Sequence, residues 1–207
     1  MGYKKSKISI AGIVNAAMRV LARQGYAHTS LMDIASEVGM SKGAVHYHFP
    51  TKEVLMAQVL QTACDEVATR TRGAWTAGGN PIDALRSSLR ELWRARSDMS
   101  DEAKVVADLL AQSLHDHTLR PPLAEYYRFA SAQVDEHLTE FLSTLGLTSR
   151  VDAKKIPRLL HAMLDGLLLQ KIVDPDAIQE EFVIEALEIM AQALFVAKPV
   201  PPEAPPA

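Results

Sequence analysis

Apolar positions recur at intervals of three and four along almost the whole chain, the period of helices with one buried face, and no stretch alternates long enough to predict a strand. Ile13, Val14, Ala17, Val20 and Leu21 form the first stripe. Ser9 precedes it as an N-cap and Gly25 stops it, which predicts a helix over 10–24. The second begins at Ser30-Leu31-Met32-Asp33, a capping-box pattern with Asp as the reciprocal member, carries Ile34, Ala35 and Val38 on one face, and ends at Gly39. Ser41 is another N-cap. A third short helix runs through Lys42-Gly43-Ala44-Val45-His46-Tyr47-His48 and must stop before Pro50. Two short helices joined by Gly39-Met40-Ser41 make a helix-turn-helix pattern.

Beyond Pro50 the elements lengthen. Thr51 caps a helix predicted from Lys52 to about Arg72 and ended by Gly73; others are predicted over 81–97, 101–115, 121–145, 153–172 and 176–197. The fold class is therefore all-α with about nine helices: an N-terminal three-helix head (1–52) containing the helix-turn-helix, then a C-terminal helical bundle (53–198). The tail 199–207 is rich in proline and is expected to be extended and disordered.

Composition narrows the function. The 207 residues are 48% hydrophobic and 23% charged, enough for a core without covalent staples. Cys64 is the one cysteine, which excludes a disulfide scaffold and a cysteine-only zinc site and suits a reducing, cytoplasmic setting. The apolar stretch 156–173 is interrupted by Pro157, Arg158, His161, Asp165, Gln170 and Lys171, so no membrane partner is expected. The net charge of -3 hides an asymmetry: residues 1–52 hold seven Lys or Arg against Asp33 and Glu37, +5, and the remainder carries -8. A basic head on an acidic body points to a polyanion partner for the head, with chance variation of a solvated surface as the alternative.

The run Thr29-Ser30-Leu31-Met32-Asp33-Ile34-Ala35, followed by Gly39-Met40-Ser41-Lys42-Gly43-Ala44-Val45-His46-Tyr47-His48-Phe49-Pro50-Thr51-Lys52-Glu53-Val54-Leu55, resembles the DNA-binding signature of TetR-family transcriptional repressors. The likeness spans roughly residues 9–57; further on it rests on length, helical character and Leu164-Asp165-Gly166-Leu167. It implies an all-helical homodimer with a ligand-binding body. Independently of it, a recognition helix must expose small residues near its N-terminus so that its backbone approaches base edges, and Gly43 and Ala44 provide that clearance. Ser41, Lys42, Tyr47, His48 and Lys52 supply hydrogen-bond donors for bases or phosphates. The resemblance adds His46 to the DNA-facing set and turns Val45 and Phe49 to the core of the head. His48 could instead pack on the first helix, Lys52 could merely begin its own, and the arm of Lys4, Lys5 and Lys7 could contact the backbone or lie free. His46 stands where the family usually has tyrosine, which keeps a donor but makes it titratable near neutrality.

In the body, the last two helices are apolar over more than one stripe, and Leu160, Leu164, Leu168, Val183, Leu187, Met190 and Leu194 are the expected dimer interface, with a wholly intrachain core as the alternative. Trp93, Met99, Leu110, Tyr126, Tyr127, His161, Met163 and Asp165 are the expected walls of a small-molecule effector pocket, aromatic and methionine surfaces with a few polar groups, each of which could also be ordinary core. Catalysis is not expected. The chain has no glycine-rich phosphate loop, no Gly-x-Ser-x-Gly elbow and no His-Glu-x-x-His helix, and His115 and His117 diverge on a helix, so neither cofactor nor metal is called for. The resulting expectation is an effector-responsive repressor, a homodimer on palindromic operator DNA. The competing one is a small-molecule-binding helical protein whose basic head contacts other proteins.

Overall fold

The computed structural model describes residues 9–198; the lysine arm and the proline-rich tail lie outside the described residues. Its helices are α1 (Ile10–Gln24), α2 (Leu31–Val38), α3 (Lys42–His48), α4 (Lys52–Ala77), α5 (Pro81–Ser97), α6 (Asp101–Gln112), α7 (Arg120–Thr144), α8 (Ile156–Val173) and α9 (Glu180–Leu194). The all-α class with an N-terminal helix-turn-helix and a C-terminal bundle is what the periodicity predicts.

The described residues form two compact units. One runs through Thr69 and takes in Ala95–Ala130; the other joins Arg70–Arg94 to the residues from Ser131 on. These bounds differ from a division after residue 52, because α6 and the start of α7 share the hydrophobic core of the first three helices. That core gathers Ile13, Val14, Val20 and Leu21 of α1, Ile34 and Ala35 of α2, Val45 and Phe49 around α3, Leu55, Met56 and Leu60 of α4, and Val105, Leu109, Leu119 and Leu123. In the second unit α5 carries arginines that meet acids of α9. Arg86 forms a two-pronged pair with Glu188, and Arg90 and Arg94 both donate to Glu180 at 2.9–3.0 Å. The bonds from Arg94 and Arg90 hold the Glu180 carboxyl below its ordinary pKa.

Several boundaries differ from the sequence expectation. Helix α4 passes through Gly73 to Ala77: a lone glycine costs only about 1 kcal/mol against alanine, and half-buried Trp75 packs beyond it. Helix α6 stops at Gln112, since Asp116 instead accepts from the Thr118 N–H at 2.9 Å to cap a short 3₁₀ turn at His117–Leu119. Residues 153–155 are likewise a 3₁₀ turn, and α9 begins only at Glu180. Two three-residue strands went unpredicted, β1 (Leu147–Ser149) and β2 (Phe195–Ala197). They pair antiparallel, Thr148 opposite Val196, and are too short to show alternation.

Candidate nucleic-acid interface and body cavity

Helix α3 owes its placement to local chemistry. The Ser30 hydroxyl accepts from the Asp33 N–H at 3.2 Å, while the Asp33 carboxylate accepts from the Ser30 N–H at 2.7 Å, closing the capping box of α2. Gly39 at φ 71° is left-handed, a conformation that costs glycine nothing, and turns the chain so that the Met40 N–H reaches the Ala35 carbonyl at 2.8 Å. Ser41 then caps α3 by accepting from Ala44 N–H at 3.2 Å. Val45 and Phe49 point into the core, as the resemblance implied.

The opposite face is left to solvent. Ser41, Lys42, Gly43, His46, Tyr47 and His48 are exposed, Tyr47 at 84%, and Ala44 is half-buried. His48 therefore does not pack into the head; its ring meets Tyr47 edge to face at 5.3 Å. A Cβ built on Gly43 meets no atom within 4 Å, so the fold itself does not require glycine there.

Lys52 is half-buried and engaged within the chain. Its ammonium lies 3.5 Å from the Tyr26 ring centroid and donates to the Tyr26 carbonyl oxygen. Burial lowers its pKa against the raising effect of Glu53, Asp116, Asp108 and Asp33. Tyr26 is the hub of this corner. Its N–H donates to Asp108 at 2.6 Å and its hydroxyl to Asp116 at 3.3 Å, and burial followed by the Asp116 charge pushes its pKa up to about 12. Glu37 accepts from Arg19 at 3.1 Å and Arg23 at 3.3 Å, fastening α2 to α1. Sequence spacing gave no sign of Tyr26 and Asp108, whose contact spans 82 positions.

The expected dimer residues lie mostly inward. Leu160, Leu164, Leu168, Val183 and Leu187 are buried in the single chain, Leu187 to 2% exposure, and Met190 and Leu194 are half-buried. Side chains already covered by their own chain cannot offer a surface to a second copy. Among the apolar residues left outward on the same helices are Leu159, Leu169 and Ile172 of α8 and Phe182 and Ile189 of α9, each 44–59% exposed, and Val173 at the end of α8 is 85% exposed. Both helices thus carry apolar residues on a buried side and on an exposed side.

The expected effector residues are not gathered in one unit. Met99, Leu110, Tyr126 and Tyr127 belong to the first, where Leu110 and Tyr126 pack on the core of the head; Trp93, His161, Met163 and Asp165 belong to the second. None of the eight lines either of two cavities within the second unit, the first bordered by Arg86 and Glu188 and the second by no charged side chain. The latter space of about 660 Å³, open mouth included, is walled by Thr71 and Trp75 of α4, Leu85, Ser88, Leu89 and Leu92 of α5, Val134, His137 and Leu138 of α7, Ile156 and Leu160 of α8, and Leu187, Met190, Ala191 and Leu194 of α9 with Phe195. Trp75 was missed because Gly73 was read as a helix end. Among the described residues no cluster of three His, Cys, Asp or Glu side chains could hold a metal ion, and no helix is long and apolar enough to cross a membrane.

Comparison with known proteins bears on both parts of the chain. The model of bacterial regulatory proteins of the tetR family matches residues 13–59, and that of the C-terminal part of BetI-type transcriptional repressors matches 81–196. The HTH-type transcriptional regulator LmrA of Bacillus subtilis is 30% identical over 160 residues, 76% of this chain and 82% of LmrA. An HTH-type transcriptional regulator of the same organism, YuxN, is 37% identical over 81 residues, 39% of this chain and only 28% of YuxN. A TetR transcription regulator from Haloarcula marismortui superposes with a TM-score of 0.72 at 21% identity, covering 90% of this chain and 98% of its own, a likeness of fold.

Proposed function

The chain belongs to the TetR family of helix-turn-helix transcription regulators, and we propose that within it this protein is an effector-responsive repressor that binds a palindromic operator as a homodimer. Members of the family are regulators of transcription and not enzymes. The functional division of the chain is a DNA-binding head, 1–52, and an effector-binding and dimerisation body, 53–198, in the cytoplasm where its operator lies.

One observation carries the reading: α3 is held by caps and by Val45 and Phe49 while its opposite face leaves Lys42, His46, Tyr47 and His48 exposed beside an open Gly43. A face of that chemistry suits the major groove, with Lys42, His46, Tyr47 and His48 reaching phosphates or base edges past Gly43 and Ala44. Lys52 acts by fastening the start of α4 to Tyr26, so that its contribution to DNA binding is to hold the head in shape. The exposed stripe of Leu159, Leu169, Ile172, Phe182 and Ile189 supports a two-fold interface of α8 and α9. A dimer so formed would set its recognition helices about one helical turn or slightly more apart, roughly 34–40 Å. An effector acts by binding the DNA-released form more tightly than the DNA-bound form, which shifts the population between them.

The test is duplex binding followed by fluorescence anisotropy across salt concentrations, with a sequence selected from a random library as the specific site. A steep fall of affinity with salt and a gap of at least about a thousandfold between selected and random duplex are expected. Salt-independent or absent binding would favour protein contacts by the head instead.

A further inference from the structure

The four threonines of α4 do not behave alike. Thr62, Thr69 and Thr76 each donate to the carbonyl four residues back, those of Gln58, Asp65 and Arg72, at 2.8–3.1 Å, the usual way a helical threonine satisfies its hydroxyl. Thr71 is buried, lines the body cavity, and its Oγ1 has no hydrogen-bond partner. An unmet buried hydroxyl is unfavourable unless something arrives to meet it.

The rest of the lining limits what that can be. No Asp, Glu, Lys or Arg borders the cavity, so a charged molecule would lose its hydration without gaining a counter-charge. Trp75 and Ser88 already spend their polar hydrogens inside the chain. The Trp75 indole N–H donates to Glu140 at 3.0 Å, and the Ser88 hydroxyl donates to the Thr71 carbonyl oxygen at 3.4 Å. The His137 ring is stacked on Trp75, 5.2 Å between centroids and 11° from parallel, and burial is the first cause that lowers its pKa. What remains is hydrocarbon, the stacked Trp75–His137 pair and one buried hydroxyl without a partner.

We infer that this cavity takes an uncharged molecule of one or two rings, mostly hydrocarbon, whose single hydrogen-bonding group is met by Thr71 Oγ1 while its ring lies against the Trp75–His137 pair. The inference rests on the effector-responsive reading above and gives that effector a chemical class. A net hydrogen bond of ordinary strength makes the polar group worth about three- to tenfold in affinity over the same ring without it.

The test uses the full chain and three probes of one shape: 1-naphthol, naphthalene and 1-naphthoate, at pH 7, where only the last is charged. Equilibrium dialysis should show one 1-naphthol per chain, bound about three- to tenfold more tightly than naphthalene and at least about tenfold more tightly than 1-naphthoate. Thr71→Val keeps the shape and removes the hydroxyl. It should equalise 1-naphthol and naphthalene while leaving naphthalene within about twofold, with helicity and melting unchanged as the check on folding. Failure of both neutral probes to bind, 1-naphthoate binding as tightly as 1-naphthol, or an intact 1-naphthol advantage in Thr71→Val would each overturn the proposal. The same titrations on the operator complex keep the two readings apart. If 1-naphthol binds through Thr71 yet leaves operator affinity unchanged, the ligand class stands and its effector role falls; if 1-naphthoate alone binds and releases operator, the class falls and the effector reading stands.

Discussion

Gly43 separates the demands of folding from those of recognition, so changing it should move the two in opposite directions. A Cβ at this position meets nothing within 4 Å, and the residue sits in the first turn of α3 directly after the Ser41 cap and Lys42. Replacing glycine by a better helix former at an unstrained, open position stabilises by about 0.4–1 kcal/mol, mostly through the unfolded chain. In a chain of this size that is a rise of about 1–4 °C in melting temperature. Gly43→Ala should gain this, and Gly43→Leu should melt no lower than the parent. On DNA the leucine side chain occupies the space through which the backbone of α3 approaches the bases. A disrupted base contact costs about 1–3 kcal/mol, and two heads double it, so operator affinity should fall by about 30-fold to more than 10⁴-fold. Gly43→Ala should fall between leucine and parent. Anisotropy with the selected operator measures affinity, and scanning calorimetry measures stability. If Gly43→Leu binds operator like the parent, recognition does not run through the N-terminal turn of α3; if it melts several degrees lower, Gly43 is a folding residue and the reasoning fails.

Asp108→Ala removes the carboxylate that accepts the Tyr26 N–H at 2.6 Å, a bond to a charged acceptor worth about 1.5–3 kcal/mol, so melting should drop by about 3–10 °C with Asp108→Asn much milder; equal melting of alanine variant and parent would deny this corner its structural role. Phe182→Glu or Ile189→Glu should give folded monomers by sedimentation, whereas Leu187→Glu, in a fully packed position, should lose about 3–5 kcal/mol and unfold; a folded monomeric Leu187→Glu, or a monomeric parent, would contradict the assignment of the outer stripe. Hydrogen bonds from Ser30 hold the Asp33 carboxyl, and those from Arg19 and Arg23 the Glu37 carboxyl, below their ordinary pKa values. Depressed folded-state values contribute stability that is present above the unfolded pKa, about 4, and is lost as pH falls through the folded values, so melting should fall on acidification below about pH 4–5 and Ser30→Ala should fall less steeply over that range; identical acid profiles would remove Asp33 from the explanation.

The head was legible because its instructions are local. Ser9, Ser30 and Ser41 sit directly before the helices they cap, Asp33 three residues after its partner, and Gly39 where the backbone must turn left-handed, so each device can be recognised within a few positions. The resemblance, more than the spacing, separated Val45 and Phe49, which face the core, from His46, Tyr47 and His48, which do not. What fastens that head was invisible for the complementary reason. Tyr26 meets Asp108 and Lys52 across long stretches of chain, and no periodicity marks residues that become neighbours only through folding.

In the body the periodicity was present but underdetermined. Helices α8 and α9 are apolar on more than one side, and an apolar stripe reads the same whether it faces its own unit or a second copy. Choosing leucines for the interface selected the residues that pack best, and close packing is what draws a side chain into the interior; the outward Phe182 and Ile189 are recognisable only once their neighbours are seen to be covered. The cavity residues were hidden by a different competition. Gly73 was given the weight of a helix stop, yet its cost of about 1 kcal/mol is smaller than what packing of the following turn contributes, so α4 continued and brought Trp75 to the wall beside Thr71. A bulky or mixed-character residue is a candidate for a ligand wall only if the fold leaves space in front of it. Aromatic content alone could not rank Trp75 above Trp93, which is fully buried. The signal that distinguishes Thr71 is an unmade bond, a property of the packed helix bundle that no single residue type announces.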